Sequence, residues 1–323
     1  MAEPLRILLH NSHTDPMLPK LANVAPEAVV ETCNDNKGLP AKIEAFRPDV
    51  LYSIRFTTPE PFPAAAIFAE NGPKWLAIGG AGIDHLGHWD PDKSTVTNAA
   101  GVAADMMAEY ILGTFLHFSL DIPGMQADQA AHVWDNARLV TPIQGKTLLI
   151  AGLGQTGQSL ALRARAFGMK VIGTRARPEA MDNVEQVGGP DDLLDMAKEA
   201  DFVAVTSPLV PSTRGMIGNA FFEHVKPGAV LSDVSRGGVV DHNALIAALQ
   251  SGRIKGAALD VFEQEPLPKN APIWDVKNVL ISPHCSSVHR EWAKQSFALF
   301  LRNLENWKND RPLFNVVDPA RGY

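Results

Sequence analysis

Cysteine is scarce in this 323-residue chain: Cys33 and Cys285 stand alone, and neither belongs to a CxxC pair. That argues against a disulfide framework and against a structural zinc site. No HExxH or comparable ligand spacing occurs, so no metal is expected. No apolar run reaches the roughly 18 residues that a membrane-spanning helix needs. The opening residues, MAEPLRILLHNSHTDP, lack the basic start and long apolar stretch of a secretion signal. Basic charge is in deficit, with 29 Lys and Arg against 36 Asp and Glu and a net charge of -7. That is the wrong balance for a general nucleic-acid binder. Repeats and low-complexity tracts are also missing. The expected setting is the cytoplasm, with a small-molecule partner and neither nucleic acid nor membrane.

What is present is a long chain that is 46% hydrophobic. Its length exceeds the size at which one core stops growing, so two domains are expected. Short apolar runs alternate with helical patterns. The first series of strands is read at Arg6–Leu9, Ala28–Glu31, Asp49–Ser53, Trp75–Ile78 and Thr95–Thr97. The second is read at Leu148–Ala151, Val171–Thr174, Phe202–Thr206, Ala229–Ser232, Ala257–Asp260 and Val279–Ser282. Such alternation predicts parallel α/β sheets, and strands without strict polar alternation fit sheets covered on both faces. Met106–Leu120 is apolar nearly all round and predicts a buried linking helix. Asp121–Lys146 reads as polar and irregular, and Arg290–Asn309 as a final amphipathic helix.

Gly152-Leu153-Gly154-Gln155-Thr156-Gly157 is a GxGxxG placed between the strand Leu148–Ala151 and a helix with Leu160, Ala164 and Phe167 on one face. Gly168 then stands where a left-handed helix end is wanted, and Val171–Thr174 completes a βαβ unit. The glycines allow a tight turn, close approach of a pyrophosphate, and close packing of helix on strand. The helix N-terminus offers free N–H groups to the phosphates. A dinucleotide is therefore expected at Gly152, Gly154, Gln155, Thr156 and Gly157. After the next strand an NAD site usually carries Asp or Glu for the ribose 2′-hydroxyl. This chain has Thr174, Arg175 and Arg177. Guanidinium groups pair with phosphate, which predicts a preference for NADP(H), with NAD(H) possible if the basic turn is merely solvated.

Three polar motifs lie at the ends of later strands: Asp233-Val234-Ser235-Arg236-Gly237-Gly238, Asp260-Val261-Phe262-Glu263-Gln264-Glu265-Pro266, and Ser282-Pro283-His284. Ligands of doubly wound sheets bind outside the carboxyl ends of strands. Taken singly, each residue has a structural explanation. Arg236 could anchor a glycine turn, Glu265 could be one more loop acid, and His284 a structural histidine. Taken together, and in this order, they resemble the D-2-hydroxyacid dehydrogenase family, which includes glyoxylate/hydroxypyruvate reductases and 3-phosphoglycerate dehydrogenases. The likeness is densest from Asn98 to Ser287 and continues into Gly80-Ala81-Gly82-Ile83-Asp84-His85.

The resemblance implies that Arg236 binds substrate, that Glu265 is the partner of the histidine, and that His284 is the acid/base. It implies that Asp260 stands beside the nicotinamide carboxamide and that Ser207, Pro208, Thr213, Val234, Ser235 and Ser286 belong to the cofactor wall. The backbone of Ala81 and Gly82 would hold the substrate carboxylate, and Arg55 falls where some members place an arginine on the substrate. The chemistry suits these residue types. A hydride reaches the keto carbon, His284 protonates the oxygen on which charge develops, Glu265 stabilises the imidazolium, and Arg236 presents a planar cationic fork.

The expected fold is two doubly wound parallel-sheet domains. A Rossmann-type nucleotide-binding domain at 99–287 is joined to a flavodoxin-like substrate domain at 1–98 and 288–323, with a closing cleft between them. The resemblance also implies a homodimer built on the nucleotide-binding domain. The family's formate dehydrogenases carry glutamine where Glu265 stands, which disfavours that activity. Cys285-Ser286-Ser287 departs from the small, glycine-containing run of many relatives and implies a slightly altered pocket. Little chain follows the last helix, so a C-terminal regulatory domain is not expected. Two rivals stay open. One is a phosphoglycerate- or phosphite-type dehydrogenase of the same fold. The other is a dinucleotide-sensing regulatory protein that keeps a similar triad.

Overall fold

The computed structural model describes residues 3–54 and 60–322. The chain divides into two compact units, one formed by Met1–Val102 with His289–Tyr323 and the other by Ala103–Val288.

The first unit runs β1 (Arg6–His10), α1 (Leu18–Val24), β2 (Val29–Cys33), α2 (Leu39–Phe46), β3 (Val50–Ser53), α3 (Ala64–Ile67), β4 (Trp75–Ile78) and β5 (Thr95–Thr97). The strands are parallel, in the order β2-β1-β3-β4-β5, which is the flavodoxin-like winding with its switch point between β1 and β3. Alternation along each strand feeds two cores. Leu8, Leu51 and Leu76 face α2 through Leu39, Ile43 and Phe46. Ile7, Leu9, Val50, Tyr52 and Trp75 face Leu21 of α1 on the other side. Because both sides are apolar, the period of two is hidden in the sequence.

The second unit opens with α4 (Ala104–Ser119) and α5 (Ile122–Ala131). It continues through β6 (Thr147–Ala151), α6 (Gln155–Ala166), β7 (Lys170–Thr174), β8 (Gln186–Gly188), α7 (Leu193–Ala197) and β9 (Phe202–Val205). It closes with α8 (Asn219–His224), β10 (Ala229–Asp233), α9 (His242–Gln250), β11 (Ile254–Leu259) and β12 (Val279–Ile281). Its parallel sheet has the order β12-β11-β10-β9-β6-β7-β8. Counted from β6, that is the 3-2-1-4-5-6 Rossmann winding extended by one outer strand. Leu148, Ile150, Val171, Phe202 and Ala204 pack on α4 and α6. Leu149, Ile172, Val203, Val205 and Leu231 pack on α7, α8 and α9.

The chain then returns to the first unit as α10 (Trp292–Lys308). Phe297, Phe300 and Leu304 complete the core over Tyr52 and Trp75. Ser296 Oγ donates to the Gly79 carbonyl at 2.7 Å and lies 3.0 Å from the Tyr52 hydroxyl, fixing the helix against the ends of β3 and β4.

Three local readings change. The stretch from Asp121 to Lys146 is not irregular throughout, because α5 occupies its first part. That helix buries no residue and so has no apolar periodicity to announce it. It is capped by Asp121, whose carboxylate accepts from Gly124 N–H, and Arg138 pairs with Asp121 and Asp128. The edge strand β8 was not foreseen, being three residues long with Gln186 exposed. Finally, α4 buries one side only. Ala108, Ile111, Leu112 and Phe115 are buried, whereas Met106, Met107 and Leu116 are half-buried. Among the described residues, no helix is long and apolar enough to cross a membrane.

Candidate active site

The turn after β6 has the shape that a pyrophosphate requires. Gly152 has φ 116°, and a Cβ there would lie 2.7 Å from Ser207 N. A Cβ on Gly157 would lie 2.4 Å from the Gly152 carbonyl, so only glycine lets α6 start this close to the turn. Gly154 is different: a Cβ there would meet nothing within 4 Å. It faces open space beside the first turn of α6, which has no side-chain cap. Gln155 is exposed, and Thr156 is half-buried with its hydroxyl 3.7 Å from Met107 Sδ. The opposite wall is braced by Ser207 Oγ donating to the Ala151 carbonyl (2.9 Å) and Thr206 Oγ1 donating to the Gly152 carbonyl (2.6 Å). Thr213 closes the next loop, donating to the Pro208 carbonyl at 2.6 Å and accepting from Val210 N–H at 2.9 Å. Uncapped helix amides, an open glycine and a tight turn together fit a dinucleotide.

At the end of β7, the buried Thr174 offers its carbonyl to the N–H groups of Gly152 and Leu153. Arg175 follows, with Nη1 2.6 Å from Glu179 Oε1 and 3.4 Å from Met181 Sδ. Arg177 is exposed.

The later motifs converge at the carboxyl ends of β10, β11 and β12. His284 Nδ1 donates to Glu265 Oε2 at 2.7 Å, and Glu265 Oε1 accepts from Phe262 N–H at 3.0 Å. The carboxylate is thus oriented by the backbone of its own loop. His284 itself has φ 53°, an uncommon conformation for a non-glycine residue, found often at functional positions. The flanks of His284 are fixed by Asp260. Its Oδ1 accepts from Ser282 Oγ (2.5 Å) and Cys285 N–H (2.8 Å), and its Oδ2 from Ser286 N–H (2.9 Å). Val234 and Ser235 are buried in the turn after β10, where Arg236 Nη1 donates to the Ser235 carbonyl at 2.7 Å.

Of the residues assigned to substrate, Ala81 and Gly82 belong to the first unit, and Arg55 lies outside the described residues. The Ala81 carbonyl accepts from Asn98 Nδ2 at 2.8 Å and the Gly80 carbonyl from Ala99 N–H at 2.8 Å. The backbone N–H groups of Ala81 and Gly82 have no acceptor among the described residues.

Sequence reasoning missed several supporting groups. Tyr110 of α4 donates to Ser282 Oγ at 2.7 Å, and burial pushes its phenol up to about 12. Asp233 at the end of β10 is fully buried, and burial pushes its carboxyl up to about 7. In the first unit, His10 is buried between Ser53 Oγ (2.8 Å) and the Asp35 carbonyl (3.0 Å), and burial lowers its imidazole to about 4. Nothing local marks these residues, because burial depends on what the rest of the chain brings alongside. Among the described residues, no group of three or more His, Cys, Asp or Glu could hold a metal ion.

Residues 112–286 match the family model described as D-isomer specific 2-hydroxyacid dehydrogenase, NAD binding domain. The chain is 37% identical over 253 residues to a glyoxylate reductase of Thermococcus litoralis, covering 73% of this chain and 74% of that protein. It is 34% identical over 258 residues to a D-3-phosphoglycerate dehydrogenase of Methanocaldococcus jannaschii. That match covers 77% of this chain but only about half of the longer relative, 48%. A crystal structure of a D-isomer specific 2-hydroxyacid dehydrogenase from Xanthobacter autotrophicus Py2, in complex with NADPH and MES, superimposes with a TM-score of 0.84 at 30% identity. The alignment covers 99% of this chain and 100% of that one. With this fold, this glycine turn and this match, the chain belongs to the D-2-hydroxyacid dehydrogenase family, whose members bind a nicotinamide dinucleotide.

Proposed function

We propose that this chain reduces a small 2-keto acid to the D-2-hydroxy acid, with NADP(H) preferred over NAD(H). The observation that carries the reading is the 2.7 Å contact between His284 Nδ1 and Glu265 Oε2. It assigns the Nδ1 proton to the carboxylate and leaves Nε2 to move a proton to or from substrate. When bound, the nicotinamide supplies the hydride. His284 protonates the oxygen as charge builds on it, and Glu265 stabilises the resulting imidazolium. Arg236 binds the substrate carboxylate or carbonyl oxygen, and the N–H groups of Ala81 and Gly82, without an acceptor among the described residues, serve the carboxylate; Arg55 is assigned to the same task. Gly152, Gly154, Gln155, Thr156 and Gly157 hold the pyrophosphate. Ser207, Pro208, Thr213, Val234, Ser235, Asp260 and Ser286 form the rest of the cofactor wall, with Asp260 also fixing the loop that carries His284.

The cofactor preference rests on Thr174, Arg175 and Arg177 at the ribose end, and the Xanthobacter relative was solved with NADPH. For substrate, the Thermococcus relative is named a glyoxylate reductase, and glyoxylate or hydroxypyruvate is the first choice. A phosphorylated substrate is less well served, because Gly79–His85 contains no Lys or Arg. A homodimer through the second unit is supported by Trp134 and Leu139, each 92% exposed, since large apolar side chains in solvent mark contact surfaces. The unpaired state of Cys33 and Cys285 accords with the cytoplasm.

The test is loss of nicotinamide absorbance with purified protein, with NADPH and NADH each offered glyoxylate, hydroxypyruvate, pyruvate and a bulkier keto acid. Oxidation of NADPH by one of the small acids is expected. Tight NADPH binding with no oxidation by any of them would overturn the reductase reading in favour of a sensor.

A further inference from the structure

Two buried carboxyl groups end adjacent strands of the second unit. Asp233 closes β10 and Asp260 follows β11, and Asp260 N–H donates to the Asp233 carbonyl at 3.0 Å. Neither side chain has exposed surface. Their partners are unequal. Asp260 accepts from two backbone amides and a hydroxyl, shared between its two oxygens. Asp233 accepts on Oδ1 alone, from Ser235 N–H at 2.9 Å and Ser235 Oγ at 2.5 Å. Its Oδ2 is buried and has no partner among the described residues.

Neighbouring carboxyl groups away from water cannot both carry charge cheaply, and the one with fewer donors takes the proton. Burial, opposed by the Ser235 bonds and reinforced by Asp260, brings Asp233 up to about 7. The other groups that face it come from each packed element. Arg236 comes from its own turn, Asp260 from the end of β11 and Tyr110 from α4. Burial pushes the Tyr110 phenol up to about 12, so it stays neutral through the same range. The neighbouring strand β9 presents only Phe202–Val205.

We propose that Asp233 is a positioning residue for Arg236: as a neutral acid it holds the Ser235–Arg236 turn, and once ionised it draws the guanidinium away from the substrate carboxylate. The proposal rests on the reading of Arg236 as the substrate anchor. Its sign is definite. As pH rises through about 7, a negative charge appears under the turn in which Ser235 bonds Asp233 and its carbonyl holds Arg236 Nη1, and affinity for an anionic ligand falls.

The decisive variant is Asp233→Asn, which keeps the Oδ1 acceptor and is permanently neutral. Two measurements bear on it. The first follows the infrared carbonyl band of protonated carboxyl groups in cofactor-free protein across neutral pH. A band that fades near pH 7 in the wild type and is missing in Asp233→Asn is expected. The second is calorimetric binding of oxalate, an inert dicarboxylate, to the NADPH-loaded protein over the same range. A several-fold loss of affinity toward alkaline pH is expected in the wild type, with a flat profile in the variant. Absence of the band from the wild type, or parallel oxalate profiles in the two proteins, would overturn the proposal. The infrared titration needs neither the variant nor turnover, so a failure of the reductase reading would be seen separately in the keto-acid panel.

Discussion

His284 and Glu265 stand 2.7 Å apart across two loops, and Glu265 is itself held by the Phe262 amide at 3.0 Å. The imidazole therefore has one fixed nitrogen and one working nitrogen. Replacing His284 with alanine should lower kcat by about 10²- to 10⁴-fold, the usual contribution of a general acid. Glu265→Gln should lower it less, because the histidine keeps a hydrogen-bonding neighbour. Fluorescence titration should show NADPH binding near the wild-type level in both. An unchanged kcat in His284→Ala would remove the residue from the chemistry.

Arg175 is held by Glu179 at 2.6 Å, at the mouth of the ribose site proposed above. Arg175→Asp should weaken NADPH binding by about 10- to 100-fold, the size of a charge-assisted hydrogen bond, and leave NADH nearly untouched. Glu179→Gln should act in the opposite direction by freeing the guanidinium. Equal effects of Arg175→Asp on the two cofactors would discard the NADP(H) preference.

Gly154 and Gly157 make a matched pair for separating folding from binding. A methyl group at Gly157 would meet the Gly152 carbonyl at 2.4 Å, and such overpacking costs about 1–3 kcal/mol of stability. A methyl group at Gly154 meets nothing within 4 Å and should change stability by less than about 0.5 kcal/mol. Yet Gly154→Ala should raise the Kd for NADPH, because it fills the space left for the pyrophosphate. Urea melts and cofactor titrations of the two variants check this. Unchanged NADPH affinity in Gly154→Ala would place the pyrophosphate elsewhere.

His10 gives the first unit a definite response to acid. In the folded chain it stays neutral down to about pH 4, whereas the unfolded chain takes up the proton below about 6.5. Stability from this group is therefore intact above 6.5 and is lost as pH falls toward 4, amounting to roughly 3 kcal/mol. Urea unfolding at stepped pH should show the loss in the wild type and a smaller one in His10→Gln. Proton NMR of the ring should place its titration near 4, and titration near the ordinary value would contradict the assignment.

The two-domain winding was legible because each strand is a short apolar run bounded by turn residues, and each helix between them has one apolar face. The dinucleotide turn was legible from its three spaced glycines together with the apolar strand before them and the helix and strand after them. Arg236, Glu265 and His284 were legible only as an ordered set, because no local feature of Glu265 separates it from Glu263. The supporting groups were not legible. Asp233 is one more strand-end acid until the fold closes over it, and Tyr110 meets Ser282 from a helix far away in sequence. The helix α5 escaped because it buries nothing, and periodicity records only what is buried.

The first unit contains both the earliest strands and the latest helix of the chain. Phe297, Phe300 and Leu304 lie on α10, yet they close the core over Tyr52 and Trp75. On the ribosome, the second unit has every strand it needs once β12 has emerged. The first unit, although begun sooner, has only α1 on one face of its sheet until α10 follows. Its Tyr52, Trp75 and Ala77 surface is therefore the apolar patch that a holding chaperone would meet during synthesis.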